Sequence, residues 1–260
     1  MAPCTTVGRP APLSHRLAQA LLIAPESALI AALLIINLFA PSIWIGAGMT
    51  LLILIFLTRF AALHLASLAI RRARWNAADA LATVAYALHP RSPDALALRG
   101  IVALTRDDAG SAVALLRRAL DLAPDRATFA LALSSALLEQ GEVSAAERAA
   151  RRALELEPTN AAGYLCLAQA LDAAGASPET VEAYLRKGLA HHPAPDAEVS
   201  LRCALAQHLA REGRLAEAAL ALSAARAMLP RCSMAHRTAV GRHIAEIEAI
   251  VRPQREDHAA

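Results

Sequence analysis

Hydrophobic and polar positions follow two different patterns along this chain. No residue between Ser27 and Thr58 is charged, a pattern typical of segments that cross a membrane. Beyond residue 64 the apolar positions recur every three to four residues among charged ones, which is the period of amphipathic helices. The sequence therefore predicts an all-α chain with an apolar front end and a long helical array behind it.

The apolar front end is too long for one straight span. A helix over the uncharged run would measure ~48 Å at about 1.5 Å per residue, whereas the hydrocarbon core of a bilayer is ~30 Å thick. Pro41 interrupts the run near its middle, where a turn is favoured. We therefore expect a tail over 1–16 and a transmembrane helical hairpin over 17–70, with helices at about 21–40 and 43–63.

Two opposite charges, Glu26 and Arg59, lie at similar depth in the predicted hairpin. They are expected either to form an ion pair between the two helices near the headgroups or to reach the interface separately. The sequence leaves both possibilities open.

Cations on both sides of the apolar region predict its orientation. Arginines precede the first span at Arg9 and Arg16 and follow the second at Arg71, Arg72 and Arg74. The positive-inside rule then places both ends in the cytoplasm, as for a multi-pass protein of a bacterial inner membrane that contacts the lipid bilayer. A single kinked signal anchor is the main alternative, and a cleaved signal peptide is disfavoured because apolar sequence continues well past Ala40.

Proline recurs behind the apolar front end, each time at the end of an apolar, cation-bearing helix. These prolines are Pro90, Pro124, Pro158, Pro193 and Pro230. Small or branched residues recur in the helices before them, in one set at Ala87, Ala119, Ala153, Gly188 and Ala225 and in another at Ala80, Ala112, Ala146, Val181 and Ala218. We expect both sets to lie where neighbouring helices pack closely.

The spacing of about 34 residues and the helix ending ARRALELEP before Pro158 resemble the tetratricopeptide repeat. The resemblance covers 92–230 as four repeats and implies an α-solenoid of helical pairs. Arg106, Asp107 and Asp108 replace the usual glycine in the turn of repeat one, so we expect that turn to be altered.

A partial repeat over 64–90 precedes these four. Its second helix is expected at Asn76–His89, and its first, His64–Arg74, would be continuous with the second span. No Gly- or Ser-rich linker separates the anchor from the repeats, so we expect the array to be held at a fixed angle to the membrane.

A capping helix is predicted over 231–252. Ser233 is its expected N-cap, and an apolar stripe of Val240, Ile244, Ile247 and Val251 would cover the last repeat. We expect Pro253 to end the helix and 253–260 to form a disordered tail.

Composition and charge narrow the range of functions that the chain is expected to have. Only 3% of residues are aromatic although 56% are hydrophobic, as in helices rich in Ala and Leu. Lys187 is the one lysine, which is typical of a GC-rich bacterial genome. The net charge of +3 and the scattered arginines argue against a nucleic-acid partner.

The residues that carry chemistry form no recognisable catalytic, phosphate-binding or zinc motif. Four cysteines without paired spacing are expected to be free thiols. His191 and His192 are neighbours whose side chains diverge, which favours a structural role at the end of a helix over metal binding. We expect neither a cofactor nor an enzymatic activity.

The resemblance implies a concave groove, formed by the first helices of the repeats, that binds a protein partner. Matched to the groove positions of the family are Ile101, Leu104, Thr105, Leu131, Ser135, Leu138, Glu139, Leu165, Gln169, Asp172, Cys203, Gln207 and Arg211. The Lys, Asn and Arg set that clamps a C-terminal carboxylate in chaperone-binding members is missing, so that class of partner is not expected.

The sequence as a whole predicts a membrane-anchored scaffold for assembly of a complex at the cytoplasmic membrane. Its architecture is similar to the inner-membrane subunit of Pel-type exopolysaccharide export machines. The alternatives are a periplasm-facing assembly factor of the cytochrome c maturation type, which needs an odd number of spans, and an enzyme with an unrecognised active site.

Overall fold

The computed structural model describes residues 43–257, together with residues 32, 33, 35 and 36. Residues 43–257 form eleven α-helices and one short 3-10 helix, so the predicted all-α fold is confirmed for this part. The helices are α1 (Ile43–Arg71), α2 (Trp75–Leu88), α3 (Pro93–Leu104), α4 (Ala109–Leu122), α5 (Ala127–Glu139), α6 (Val143–Leu156), α7 (Ala161–Ala173), α8 (Pro178–Ala190), α9 (Pro195–Arg211), α10 (Leu215–Met228) and α11 (Met234–Asp257).

The chain divides into two units, residues 1–61 and 62–260. In the first unit the described residues belong mostly to the start of α1, where apolar side chains are widely exposed: Leu51 by 58%, Leu54 by 60% and Leu57 by 54%. One helical segment within the described residues, Gly46–Arg71, is long and apolar enough to cross a bilayer. Helix α1 extends beyond the expected span of 43–63 to Arg71, so residues 64–71 are continuous with the apolar segment.

The other half of the predicted hairpin lies outside the described residues. This applies to the tail over 1–16, to Arg9, Arg16 and Glu26, and to the turn at Pro41; of the span 21–40 only residues 32, 33, 35 and 36 are described, and they are helical. The Glu26–Arg59 pair and the two-span topology therefore stay predictions.

The second unit consists of antiparallel helical pairs in a regular repeat. The first helices of four pairs begin at Pro93, Ala127, Ala161 and Pro195, each 34 residues after the one before. Neighbouring pairs pack through a buried core of Ala, Leu and Val side chains. We call the pairs repeats one to four, in chain order.

The turn inside every repeat has the same backbone conformation. One residue in each adopts a left-handed φ: Asp107 at 60°, Gly141 at 80°, Gly175 at 76° and Gly213 at 75°. The amide of the following residue donates to a carbonyl five residues earlier, as Asp108 does to Ala103 (3.1 Å) and Glu142 to Leu137 (2.9 Å). This is the Schellman arrangement. The expected alteration of the turn in repeat one is therefore wrong, since Asp107 adopts the glycine conformation.

Repeats three and four contain extra residues, and the extra residue of repeat three leaves the spacing from Ala161 to Pro195 at 34. In repeat three one more residue separates the left-handed Gly175 from the next helix than in repeat two. In repeat four the first helix has 17 residues instead of 13, which adds about one turn. This longer α9 raises the spacing between Pro193 and Pro230 above 34.

Small residues allow the close approach of neighbouring helices, as the sequence predicts. Ala112, Ala119, Ala146, Ala153, Ala218 and Ala225 are fully buried, Val181 is 3% exposed, and Gly188 is buried. Ahead of repeat one the expectation fails, because Ala80 and Ala87 are exposed and the buried residues of α2 are Ala78, Ala82 and Ala85. Each of these three lies 34 residues before a buried residue of α4, namely Ala112, Leu116 or Ala119. The buried positions of α2 therefore match those of the second helix of repeat one.

The segment ahead of repeat one forms a further helical pair. Ala62, Ala66 and Ala69 of α1 are buried, and Ala62 and Ala69 pack with Ala85, Ala95 and Val102 in two small clusters. The turn after α1 repeats the Schellman bonding, with the Arg74 amide donating to the Ala69 carbonyl (2.8 Å) and Ala73 at φ 55°. The predicted partial repeat thus has both of its helices, which we call repeat zero.

The C-terminal helix α11 packs against α9 and α10. Ser233 Oγ accepts from the His236 amide at 3.4 Å, which is the predicted N-cap. Ile244 and Ile247 are 3% and 2% exposed within the core of the last repeats. The expected end at Pro253 is wrong, because the helix continues to Asp257; proline removes one backbone hydrogen bond but does not end every helix.

Candidate protein-binding groove

The left-handed residue of each turn provides a common register for the first helices. Six residues before it lie Ile101, Ser135, Gln169 and Gln207. All four side chains are half-buried or exposed, whereas the next residue along each helix is buried. The four mark the surface of the first helices that the sequence assigned to the groove, and this surface is uncharged along its middle.

The structure brings four of the predicted groove residues together around one cavity between α7 and α9. These are Gln169 and Asp172 from α7 with Gln207 and Arg211 from α9. The cavity has a volume of about 160 Å³, and its other lining residues are Ala168, Ala173, Val181, Leu185, Ala204 and His208. Val181 and Leu185 are buried residues of α8. The cavity therefore combines an apolar floor with a polar rim.

An ion pair joins two of the residues that line this cavity. Arg211 Nη1 donates to Asp172 Oδ2 at 2.8 Å, and the two side chains are 53% and 34% exposed. A pair so exposed contributes little to stability, about 0–1 kcal/mol. Its main effect is electrostatic, because each charge neutralises the other at the rim.

His208 is the polar lining residue that sequence reasoning missed. It is 4% exposed, and its Nε2 atom is buried with no hydrogen-bond partner among the described residues. The same position of the register, five residues before the left-handed residue, holds Val102, Ala136 and Ala170 in the earlier repeats. A polar residue at an otherwise apolar register position was the signal in the sequence.

A family model supports the identity of the helical pairs. The tetratricopeptide repeat model matches residues 128–170, which span repeat two and most of α7. Together with the 34-residue spacing and the repeated turn, this match decides the family. The chain contains tetratricopeptide repeats. No curated protein matches it in sequence.

Solved tetratricopeptide structures have the same fold. A thermophilic TPR protein of Thermus thermophilus superposes with a TM-score of 0.62 at 21% identity, over 72% of this chain and 99% of that one. PilF of Pseudomonas aeruginosa gives 0.54 at 21% identity, over 65% and 75%. At this level of identity the likeness shows the fold alone.

A third similar structure is a mutant O-GlcNAc transferase of Thermobaculum terrenum, with a TM-score of 0.51 at 26% identity. The match covers 54% of this chain but 27% of the transferase. Transferase activity therefore remains a property of that protein.

The remaining predicted groove residues of the tetratricopeptide array differ in exposure. Thr105 and Glu139 are exposed, while Leu104, Leu138 and Leu165 are half-buried. Leu131 and Cys203 are 9% and 3% exposed and lie in the core. Both are too deeply packed to offer much surface to a partner.

Glu139 is an acidic residue of the groove surface whose pKa is raised above its ordinary value. Burial raises the pKa of its carboxyl group, and the negative charge of Asp107 raises the pKa further. The Asp107 turn of repeat one thus affects the groove electrostatically.

The described cysteines, Cys166, Cys203 and Cys232, are free and buried. Burial raises the pKa of the Cys166 thiol, although Ser135 Oγ lies 3.9 Å from its sulfur. Burial, with Cys232 nearby, raises the pKa of Cys203 to about 12. These thiols stay protonated at neutral pH and are poor nucleophiles. Cys4 lies outside the described residues.

The histidine pair at the end of α8 takes part in packing. The ring of His191 stacks on Tyr164 with centroids 5.2 Å apart, and His192 has a left-handed φ of 50°. No group of three or more His, Cys, Asp or Glu side chains in the described part of the chain is arranged to hold a metal ion.

The predicted membrane-surface arginines lie around the turn of repeat zero. Arg71, Arg72 and Arg74 are all exposed, at the end of α1 and in the turn that follows it. Their guanidinium groups are accessible to an anionic surface such as lipid headgroups.

Proposed function

We propose that this chain is a scaffold that binds a protein partner along the surface of its first helices, and that the apolar part of α1 anchors it to a membrane. The observation that carries the proposal is the cavity between α7 and α9, where Gln169, Asp172, Gln207 and Arg211 meet. Four groove positions from two repeats converge there on an opening with an apolar floor.

The middle of the groove surface suits a protein partner because its side chains are short or uncharged. Ser135, Gln169 and Gln207 provide hydrogen-bond donors and acceptors, and Ala132 and Ala204 leave room for a partner's backbone to approach. A surface of this kind forms separate contacts with individual side chains of the partner protein. The cavity between α7 and α9, at about 160 Å³, is smaller than the ~300–1,000 Å³ that a small-molecule ligand usually occupies.

The membrane part of the proposal rests on α1. Apolar side chains exposed by more than half over Leu51, Leu54 and Leu57 have an unfavourable free energy in water, at ~25 cal/mol per Å². A hydrocarbon environment removes this penalty. Arg71, Arg72 and Arg74 then follow the apolar segment, as expected for a cytoplasmic flank.

Site-specific photo-cross-linking tests the groove. A photoreactive amino acid replaces Gln169, Gln207 or, as a control, Arg148, which is exposed on the second helix α6. In cells that express the full chain, we expect positions 169 and 207 to cross-link to the same protein and position 148 not to. Equal capture at all three positions, or none, would contradict the groove as the binding surface.

Reporter fusions after Arg74 and at the C terminus test the side of the membrane. Cytoplasmic activity of both reporters is the expected result, and it agrees with a role in assembling an exopolysaccharide export machine. Periplasmic activity would overturn that placement and favour an assembly factor of the cytochrome c maturation type.

A further inference from the structure

The chemistry of the α7–α9 cavity narrows what its occupant can be. The volume of about 160 Å³ is below the ~300–1,000 Å³ of sites for drug-sized ligands. It accommodates one amino-acid side chain. Ala168, Val181, Leu185 and Ala204 provide an apolar lining, so the occupant has an apolar stem.

Charge at the rim argues against an ionic occupant. Arg211 Nη1 and Asp172 Oδ2 are 2.8 Å apart. A carboxylate attracted to Arg211 is therefore repelled by Asp172, and an ammonium group attracted to Asp172 is repelled by Arg211. Neither gains net attraction, while both lose hydration on entry. An uncharged polar group avoids this cost.

His208 supplies the reason for a hydrogen-bonding occupant. A buried polar atom without a partner costs ~1–3 kcal/mol, and the imidazole Nε2 is such an atom. The corresponding positions of the earlier repeats carry Val102, Ala136 or Ala170, so the fold does not require an imidazole there. The two nearby amides, Gln169 and Gln207, each offer both a donor and an acceptor.

We propose that this cavity is a subsite for a carboxamide side chain, Asn or Gln, of the partner protein. This inference rests on the proposed function, since the side chain belongs to a protein in the groove. A carboxamide has two N–H donors and one acceptor oxygen, which matches a site that holds two amides and an imidazole. Its methylene stem lies on the apolar floor.

Disulfide tethering tests the proposal without knowledge of the partner. The full chain, purified in detergent with Cys4→Ser, carries Ala204→Cys at the cavity lining. It is equilibrated under mildly reducing conditions with four thiol fragments of equal length that end in a carboxamide, a carboxylate, an ammonium or a methyl group. Intact mass spectrometry measures the fraction labelled by each. Tethering raises the effective concentration of a weakly binding group to a measurable level.

The matched control is Ala132→Cys. Ala132 occupies in α5 the register position that Ala204 occupies in α9, but the position that corresponds to His208 is Ala136 there. We expect the carboxamide to label Ala204→Cys about five-fold more than the charged fragments, the effect of one hydrogen bond of ~1 kcal/mol. At Ala132→Cys we expect no preference.

His208→Ala in the Ala204→Cys background removes the proposed partner of the amide. The variant is expected to fold, because Ala136 and Ala170 occupy the same register position elsewhere, and its thermal unfolding by circular dichroism checks this. We expect the carboxamide preference to fall to about one-fold, and we expect His208→Gln, which restores an amide at that position, to recover part of it.

Each other outcome overturns the inference. Preferential labelling by the carboxylate would mean that Arg211 dominates the site, and preference for the methyl group would mean an apolar pocket. An unchanged preference in His208→Ala would show that the imidazole is not the hydrogen-bond partner of the carboxamide. If tethering shows no carboxamide preference while photo-cross-links at 169 and 207 still capture a partner, the subsite fails and the proposed scaffold function stands.

Discussion

At the scale of single residues, the turn inside each repeat keeps its backbone conformation although the residue type at the turn changes. Ala73 and Asp107 adopt the left-handed φ that Gly141, Gly175 and Gly213 adopt in the later repeats. A left-handed conformation costs a residue with a Cβ atom ~1–2 kcal/mol. The Schellman hydrogen bonds and the packing on either side of the turn outweigh this cost.

Ala73→Gly tests that cost. We expect the variant to be more stable by about 1 kcal/mol, because glycine adopts this φ without steric penalty. The urea midpoint of unfolding of the full chain measures the effect. The control is Ala80→Gly, the same substitution at an exposed position inside α2, which should lower stability by ~0.5–1 kcal/mol. The same sign of change for both variants would contradict the explanation.

Gly100 makes a second residue-scale prediction, which concerns close packing. A Cβ atom added there would lie 2.7 Å from Leu116 Cγ, and Leu116 is fully buried. We expect Gly100→Ala to lower the free energy of unfolding by ~1–3 kcal/mol, as overpacking does. At Gly110, where the nearest atoms to an added Cβ are 3.8 Å away, alanine should be neutral or stabilising. Chemical unfolding of both variants provides the comparison.

At the scale of helices, one carboxylate binds the start of α11. Asp196 Oδ1 accepts from the Ser233 amide at 2.9 Å, and its Oδ2 accepts from Ser233 Oγ at 2.8 Å. Burial alone would raise the pKa of Asp196, but the hydrogen bonds from Ser233 lower it below its ordinary value. The start of α9 thereby holds the start of the capping helix.

This lowered pKa predicts a dependence of stability on pH. A group with a depressed pKa in the folded state stabilises the fold above its unfolded pKa, about 3.9 for Asp, and this contribution is lost as pH falls through the folded value. We expect Asp196→Asn to lose ~1–2 kcal/mol at pH 7 and the gap to the wild type to narrow as the pH falls below about 3.9. Urea unfolding at pH 7 and at a series of pH values below about 3.9 measures the gap; Asp125→Asn, in the exposed loop before α5, should show none. A gap that stays constant over the whole acid series would contradict a role for the ionised carboxylate.

Helix length also distinguishes repeat four from the others. The additional turn of α9 lies before Gln207, His208 and Arg211, the three residues of this helix that line the cavity with α7 together with Ala204. A four-residue insertion preserves the face of a helix, since 3.6 residues complete one turn. The insertion therefore lengthens the helix while its buried and exposed faces stay in register.

At the scale of the whole molecule, the main question is the environment of α1. Leu54 is 60% exposed in the apolar part of α1, and Leu220 is 69% exposed on α10. We expect Leu54→Lys to reduce membrane insertion, because a lysine near the centre of a span costs ~2.5–3.5 kcal/mol. Leu220→Lys, a matched change outside the apolar segment, should leave insertion unchanged. The fraction that resists alkaline carbonate extraction from membranes measures insertion, and equal extraction of both variants would argue against a span.

Features that depend on local physics could be predicted from the amino-acid sequence. Apolar periodicity and the recurring prolines predicted the helical pairs, and the Ser233 cap with the Ile244 and Ile247 stripe predicted the start and buried face of α11. A proline or a cap residue acts on backbone geometry within a few residues, so its effect can be read without the fold. Ala80 and Ala87 are exposed because they lie ten and three residues before Pro90, whereas the buried positions of the later repeats lie twelve and five residues before their prolines. Ala78 and Ala85 hold those two positions before Pro90, and both are buried.

Features that depend on residues distant in the chain follow from the packing of the helices in three dimensions. The left-handed turn at Asp107 forms although its sequence lacks glycine, because packing between helices compensates for the local cost. The convergence of Gln169 and Asp172 with Gln207, His208 and Arg211 on one cavity requires the stacking of two repeats. Contacts of this kind join side chains as far apart in the chain as Asp172 and Arg211, which are separated by 39 positions, and a one-dimensional pattern does not specify which of them meet.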